Sequence, residues 1–224
     1  MKINKMIDHT KLGASINKDQ IDKLIDEAKQ YDFKSVCVNP VWVEYAKHGL
    51  KGSDVLVCTV IGFPHGTHQP SVKEFEAAQA VLDGADELDM VINVYALKSK
   101  DYQTILTEIK GVVDKGEGRT VKVIIETCYL TPEEIVKASK LAVEAGAHFV
   151  KTSTGFGTYG ARVEDVKLMK NTVGNKAEVK ASGGVRTYAD ALRMIEAGAT
   201  RIGTSNGVDI VNQKENENDS NTTY

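Results

Sequence analysis

Eight short β-rich runs recur along this chain, separated by longer segments of helical pattern, and that alternation constrains the fold more than any other feature. The runs are MIDHT (6–10), SVCVN (35–39), VLVCTVI (55–61), ELDMVIN (87–93), VKVIIET (121–127), HFVKTS (148–153), EVKAS (178–182) and RIGTS (201–205). Amphipathic helix patterns lie between them at 18–31, 71–84 and 131–146. In the last, Thr131, Pro132 and Glu134 form an N-cap, N1 and N3 start signal, and Gly146 is a stop. Helix 71–84 is expected to start on Ser71, with Glu74 three residues later. The segments EAGAHFVKTSTG (144–155) and EAGATRIGTSNG (196–207) share a helix end, glycine stop, strand and Ser/Gly turn at matching offsets, as two copies of one αβ joint would. Eight strands over 224 residues predict an α/β fold, a single-domain (β/α)8 TIM barrel over 1–210, followed by a polar C-terminal tail over 211–224. The alternative is a doubly wound sheet, which needs fewer strands and a core that is apolar on both strand faces.

Side-chain parity favours the barrel. Alternate residues of a strand share a face, which groups Glu87, Asp89, Val91 and Asn93, then Lys151 with Ser153, Lys180 with Ser182, and Ser35 with Cys37 and Asn39. These polar sets are expected to face inward. Ionisable groups inside a barrel cost too much to be filler unless paired, so they read as a reaction site near the strand C-termini, or alternatively as a buried structural salt-bridge network.

Composition narrows the partners. With 28 Lys and Arg against 31 Asp and Glu, the net charge of −3 and the lack of a long basic run give no electrostatic footprint for nucleic acid or an anionic membrane. No apolar run approaches the roughly 18 residues that span a bilayer, and MKINKMIDHTKLG lacks the apolar stretch of a signal peptide. A cytoplasmic location is expected. Cys37, Cys58 and Cys128, odd in number and widely spaced, fit reduced core thiols better than a disulfide framework or metal cluster.

The strongest local signal is the pair VKTSTG (150–155) and VKASGG (179–184), each with a lysine at the same point before a small-residue turn. Neighbouring strands lie about 4.8 Å apart, so two ammonium groups there disfavour double protonation, and a neutral amine is the species that attacks a carbonyl. Two solvent-facing lysines at strand ends are the competing reading. Asp89 supplies a carboxylate for general acid/base work, or a lysine's structural partner. The turns STGFG (153–157), SGGVR (182–186) and TSNG (204–207) let backbone N–H groups approach an anion, as phosphate sites after late barrel strands do; tight βα turns are the ordinary reading. Arg186 is placed to pair with phosphate or with a helix carboxylate. Gly155, Gly157 and Gly160 satisfy G-x-G-x-x-G, but the match comes late in the chain and Glu178 begins the following strand, so dinucleotide binding is rejected. His9, His65 and His68 lack the spacing of a zinc site and are expected in loop or strand-end hydrogen bonds.

Together IDHTKL, SVCVNP, GFPHG, GADELDMVIN, KVIIET, EAGAHFVKTSTGF, VKASGGVRT and IGTSNG cover nearly the whole chain, and in this combination it resembles the deoxyribose-phosphate aldolase family of class I, Schiff-base aldolases. The resemblance implies a (β/α)8 barrel that cleaves 2-deoxy-D-ribose 5-phosphate reversibly to D-glyceraldehyde 3-phosphate and acetaldehyde, with no metal or organic cofactor and with a homodimeric assembly. It makes Lys151 the Schiff-base lysine, Lys180 the neighbour that perturbs it, and Asp89 a participant in proton transfer. Asp8 and Cys37 become pocket residues, and Thr154, Gly155, Gly183, Gly184, Arg186, Gly203 and Ser205 phosphate contacts. Tyr224 matches a terminal tyrosine that reaches the site for proton transfer in some members. Phe156 departs from members that carry a second lysine there, shifting phosphate binding toward backbone N–H groups. Another phosphosugar barrel enzyme and a non-catalytic sugar-phosphate sensor are the competing functions.

Overall fold

The structure is a computed structural model that describes residues 2–213. Strands β1 (Ile7–Lys11), β2 (Ser35–Val38), β3 (Leu56–Ile61), β4 (Glu87–Val91), β5 (Thr120–Ile124), β6 (Phe149–Lys151), β7 (Glu178–Ser182) and β8 (Arg201–Thr204) pair in chain order, all parallel, and β8 closes on β1. The helices are α1 (Lys18–Gln30), α2 (Val43–Gly49), α3 (Pro70–Leu82), α4 (Val94–Lys98), α5 (Tyr102–Lys115), α6 (Pro132–Glu144), α7 (Val163–Val173), α8 (Tyr188–Glu196) and α9 (Gly207–Val211). This is the single-domain (β/α)8 barrel that the alternation predicts. The expected tail over 211–224 lies, past residue 213, outside the described residues.

One parity of each strand points away from the axis and packs under the helices. Val36, Val57, Leu88, Met90, Val121, Val123, Val150, Val179 and Ile202 join helix residues such as Leu24, Ala77, Ile109, Leu141 and Met169 in one continuous apolar layer. These short branched side chains suit a pleated surface that must accept helices. A smaller apolar cluster of Leu12, Cys37, Cys58 and Val60, with Phe63 against it, lies apart from that layer. Among the described residues no helix is long and apolar enough to cross a membrane.

Helix starts follow their capping chemistry. Thr131 accepts from the Glu134 N–H while the Glu134 side chain accepts from the Thr131 N–H, with Pro132 at N1; Asn17 with Gln20 and Thr187 with Asp190 form the same reciprocal box. Gly146 follows α6 at φ +88°, the left-handed stop that its position predicts. The expected start at Ser71 is corrected: α3 begins at Pro70 after Gln69, because the ring of proline presets the φ of a first helical residue. Several strands stop short of their runs. Asn93 leaves β4 to cap α4 through the Ala96 N–H, and β5 ends before Glu126, which turns left-handed at φ 54°.

Candidate active site

Strand register decides which side chains meet. Asp89 pairs with Lys122 across β4 and β5, Lys151 with Lys180 across β6 and β7, Lys180 with Arg201, and Asp8 with both Ser35 and Gly203. Because the barrel closes, these inward side chains converge on one another. Asp89 Oδ2 accepts from Lys151 Nζ at 2.7 Å and Lys180 Nζ at 2.8 Å, while Oδ1 accepts from Lys122 Nζ at 2.8 Å and the Cys58 thiol at 3.1 Å. Lys180 also donates to Asp8 Oδ2. Asp8 Oδ1 takes Ser35 Oγ and Arg201, each at 2.7 Å, and Glu87 takes Arg201 at 2.9 Å and Lys122 at 2.6 Å.

Four cations therefore face three carboxylates in a water-poor interior. Burial by itself would push the Asp89 carboxyl up, but the ammonium groups of Lys122, Lys151 and Lys180 outweigh it and hold that carboxyl well below the ordinary range. Asp8 is held down in the same way by Lys180, Arg201 and Lys122. Burial would lower the Lys180 ammonium, yet Asp8 and Asp89 together raise it, so Lys180 is a fixed cation. Lys151 differs from its neighbours in having a single carboxylate contact. The polar inner face is thus a paired ion network, and Lys151 is the cation at its margin. The Sγ atoms of Cys37 and Cys58 and a carboxylate oxygen of Asp89 lie within 4.8 Å of one another. Asp89 already takes three ammonium donors, which leaves its oxygens little capacity to ligate a metal ion.

The glycine turns lie directly above. Gly155, Gly183 and Gly184 have φ of +90°, +80° and +75°. A Cβ on Gly160 would collide with the Gly183 carbonyl, and the Ala161 N–H donates to both the Ser182 and Gly183 carbonyls at 3.0 and 2.9 Å. The loops after β6 and β7 are thereby zipped together, which gives the GFGTYG string a packing reason of its own. Gly203 sits within β8, where a side chain would run into Ser182 Oγ and Lys180 Cε; its bareness lets Lys180 reach Asp8. The Arg186 N–H donates to Asp190 Oδ2 at 3.2 Å, and Ser205 Oγ donates to Asn206 Oδ1 at 3.3 Å. The N–H and hydroxyl of Thr154 are both engaged by Glu126. His9 Nε2 lies 2.7 Å from Glu27, away from the lysines. Tyr224 falls outside the described residues.

The family model described as DeoC/LacD family aldolase matches residues 2–213. The chain belongs to that aldolase family. It is 62% identical over 214 residues to a deoxyribose-phosphate aldolase of Carboxydothermus hydrogenoformans, covering 94% of each chain. The deoxyribose-phosphate aldolase of Acholeplasma laidlawii is 57% identical over 224 residues, the whole of both chains. Among solved structures, a deoxyribose phosphate aldolase from Aeropyrum pernix, described as tetrameric, superposes with a TM-score of 0.87 at 32% identity, over 94% of this chain and 89% of that one.

Within this DeoC/LacD aldolase, two side chains of the inner network, Lys122 and Arg201, and one next to it, Glu126, were not singled out from sequence. Lys122 and Arg201 obey the parity rule that locates Asp89 and Lys180, so strand alternation in TVKVI and RIGT was the available signal. Glu126, by contrast, enters through a left-handed backbone turn that no local pattern encodes.

Proposed function

We propose that the protein cleaves 2-deoxy-D-ribose 5-phosphate reversibly to D-glyceraldehyde 3-phosphate and acetaldehyde through a Schiff base on Lys151. The observation that carries this reading is the arrangement of Lys151 and Lys180 on one carboxylate oxygen of Asp89, with Lys151 held by that carboxylate alone. The Lys151 amine adds to the C1 aldehyde of the open-chain sugar, and loss of water gives an iminium that accepts the electron pair released when the C2–C3 bond breaks. Asp89 takes the C3 hydroxyl proton, directly or through water, and returns a proton to the enamine carbon. Hydrolysis then frees acetaldehyde and the amine. Lys180, kept charged by Asp8 and Asp89, orients Asp89 and opposes a further positive charge beside it. The glycine turns zipped together after β6 and β7 supply N–H groups for the phosphate at Gly155, Gly183 and Gly184, with Thr154, whose own N–H is held by Glu126, and Arg186, Gly203 and Ser205 beside them.

A homodimer in a reducing, cytoplasmic compartment completes the proposal. Exposed Val41, Phe75, Leu82 and Tyr95 supply apolar surface for a partner copy, and the three cysteines are free. The chemistry is tested by borohydride reduction in the presence of acetaldehyde, followed by peptide mapping. A two-carbon adduct on Lys151 is expected, lost in Lys151→Ala and formed more slowly in Lys180→Met. An adduct on another lysine, or near-wild-type turnover in Lys151→Ala, overturns the assignment.

A further inference from the structure

Five non-glycine residues among those described adopt positive φ, namely Asp32, Lys100, Glu117, Glu126 and Gln213, and of these Glu126 alone is buried. The other four are exposed, where a left-handed residue costs little beyond its own strain. A buried left-handed carboxylate adds strain to desolvation, and such costs persist where the surrounding structure demands them. Its neighbours hold it from both sides: the Ile125 N–H donates to the Lys151 carbonyl at 3.1 Å and the Thr127 N–H to the Thr152 carbonyl at 3.0 Å.

The carboxylate gathers the turn that follows Lys151. The Thr154 N–H lies 3.2 and 3.3 Å from its two oxygens, and the Thr154 hydroxyl donates to Oε2. Thr154 Oγ1 then accepts the Phe156 N–H at 3.0 Å. Gly157 closes over the same group: a Cβ there would stand 3.3 Å from the Glu126 carboxyl and collide with the Cys128 sulfur. Residues 154–157 therefore wrap one side chain. Lys151 keeps its contact with Asp89 at the foot of the turn, a contact that Glu126 does not share.

We propose that Glu126 is a positioning residue for the phosphate end of the substrate, setting the STGF turn through Thr154 and so fixing the preference for phosphorylated over unphosphorylated sugar. This inference rests on the aldolase reading above and assigns Glu126 no part in the Schiff-base chemistry. The division of labour is geometric. Loss of Glu126 frees the N–H and hydroxyl of Thr154 and breaks no contact of Asp89; its through-space pull on the Lys151 ammonium is weaker than its bonds to Thr154, so the larger effect falls on binding at the phosphate rather than on the lysine.

The test compares the full-length wild type with Glu126→Ala and the nearly isosteric Glu126→Gln, on 2-deoxyribose 5-phosphate and on unphosphorylated 2-deoxyribose. The acetaldehyde adduct on Lys151 is measured alongside. In Glu126→Ala, KM for the phosphorylated sugar rises tenfold or more, while kcat/KM for the unphosphorylated sugar and the adduct yield stay within threefold. Glu126→Gln, whose amide oxygen still accepts one Thr154 bond, falls between. Equal losses on both sugars, or no change in KM in the correctly folded Gln variant, overturn the positioning role. A wild type that forms no adduct and turns over neither sugar overturns the aldolase reading itself, and this inference with it.

Discussion

Asp8→Asn removes one negative charge from the inner network while preserving the shape of the side chain. In the wild type that carboxylate faces Lys180, Arg201 at 2.7 Å and Ser35 at 2.7 Å, with Lys122 at 3.7 Å, and it is fully buried. Removing it leaves four cations against Glu87 and Asp89. Breaking a buried pair from one side costs about 3–5 kcal/mol, because the surviving charges remain desolvated. For a chain of this size each kcal/mol lowers Tm by about 2–4 °C, so a fall of roughly 6–20 °C is expected. The pH dependence carries the sharper test. The carboxyl of Asp8 is held below its ordinary value, so its stabilisation is complete above the unfolded-state value near ~3.9 and fades as pH falls toward the folded-state value. The gap between wild type and Asp8→Asn should therefore be widest above about pH 4 and narrow in more acid solution. Urea unfolding at several pH values measures it, with Asp32→Asn as control, since the exposed pair of Asp32 with Lys5 at 2.5 Å contributes about 1 kcal/mol or less. A gap below about 1 kcal/mol, or one independent of pH, would refute the account of Asp8 as a buried charge partner.

Two further changes probe the scaffold. Gly160→Ala places a methyl group against the Gly183 carbonyl, so the loops after β6 and β7 must part; a loss of about 1–3 kcal/mol and a tenfold or greater rise in KM for the phosphorylated sugar are expected, and unchanged kinetics would deny those loops a part in binding. Thr131→Ala removes the side-chain acceptor of the α6 capping box and should lower stability by about 1 kcal/mol with activity intact, as urea unfolding and turnover will show.

Much of the barrel was legible because its signals are local. A run such as EVKAS alternates inward and outward residues, and Thr131, Pro132 and Glu134 announce a helix whatever surrounds them. Ser71 misled because two start signals stand side by side, and a proline presets its own φ more firmly than a serine commits to capping. The ends of β4 and β5 misled for a related reason. Asn93 and Glu126 continue their apolar runs in sequence, but their side chains serve a helix N-terminus and a neighbouring loop instead. Lys151 and Lys180 stood out because their two strings nearly repeat, whereas Lys122 and Arg201 sit in unremarkable strands and gain meaning from the residues they face.

The sequence by itself determined the order and number of the strands, the inward parity of Asp89, Lys151 and Lys180, and the glycine turns at the strand ends. Each follows from the spacing of residues within about ten positions of one another. Only the tertiary structure decided how those charges divide. Asp8 and Lys180 are 172 positions apart and Asp8 and Arg201 193, yet closure of β8 on β1 makes them partners in the barrel interior. The protonation of Lys180, the single contact of Lys151 and the grip of Glu126 on Thr154 all depend on which groups meet after closure. Coulombic and desolvation energies are set by distance in space and by exclusion of water, and neither quantity exists in the chain until the barrel has formed.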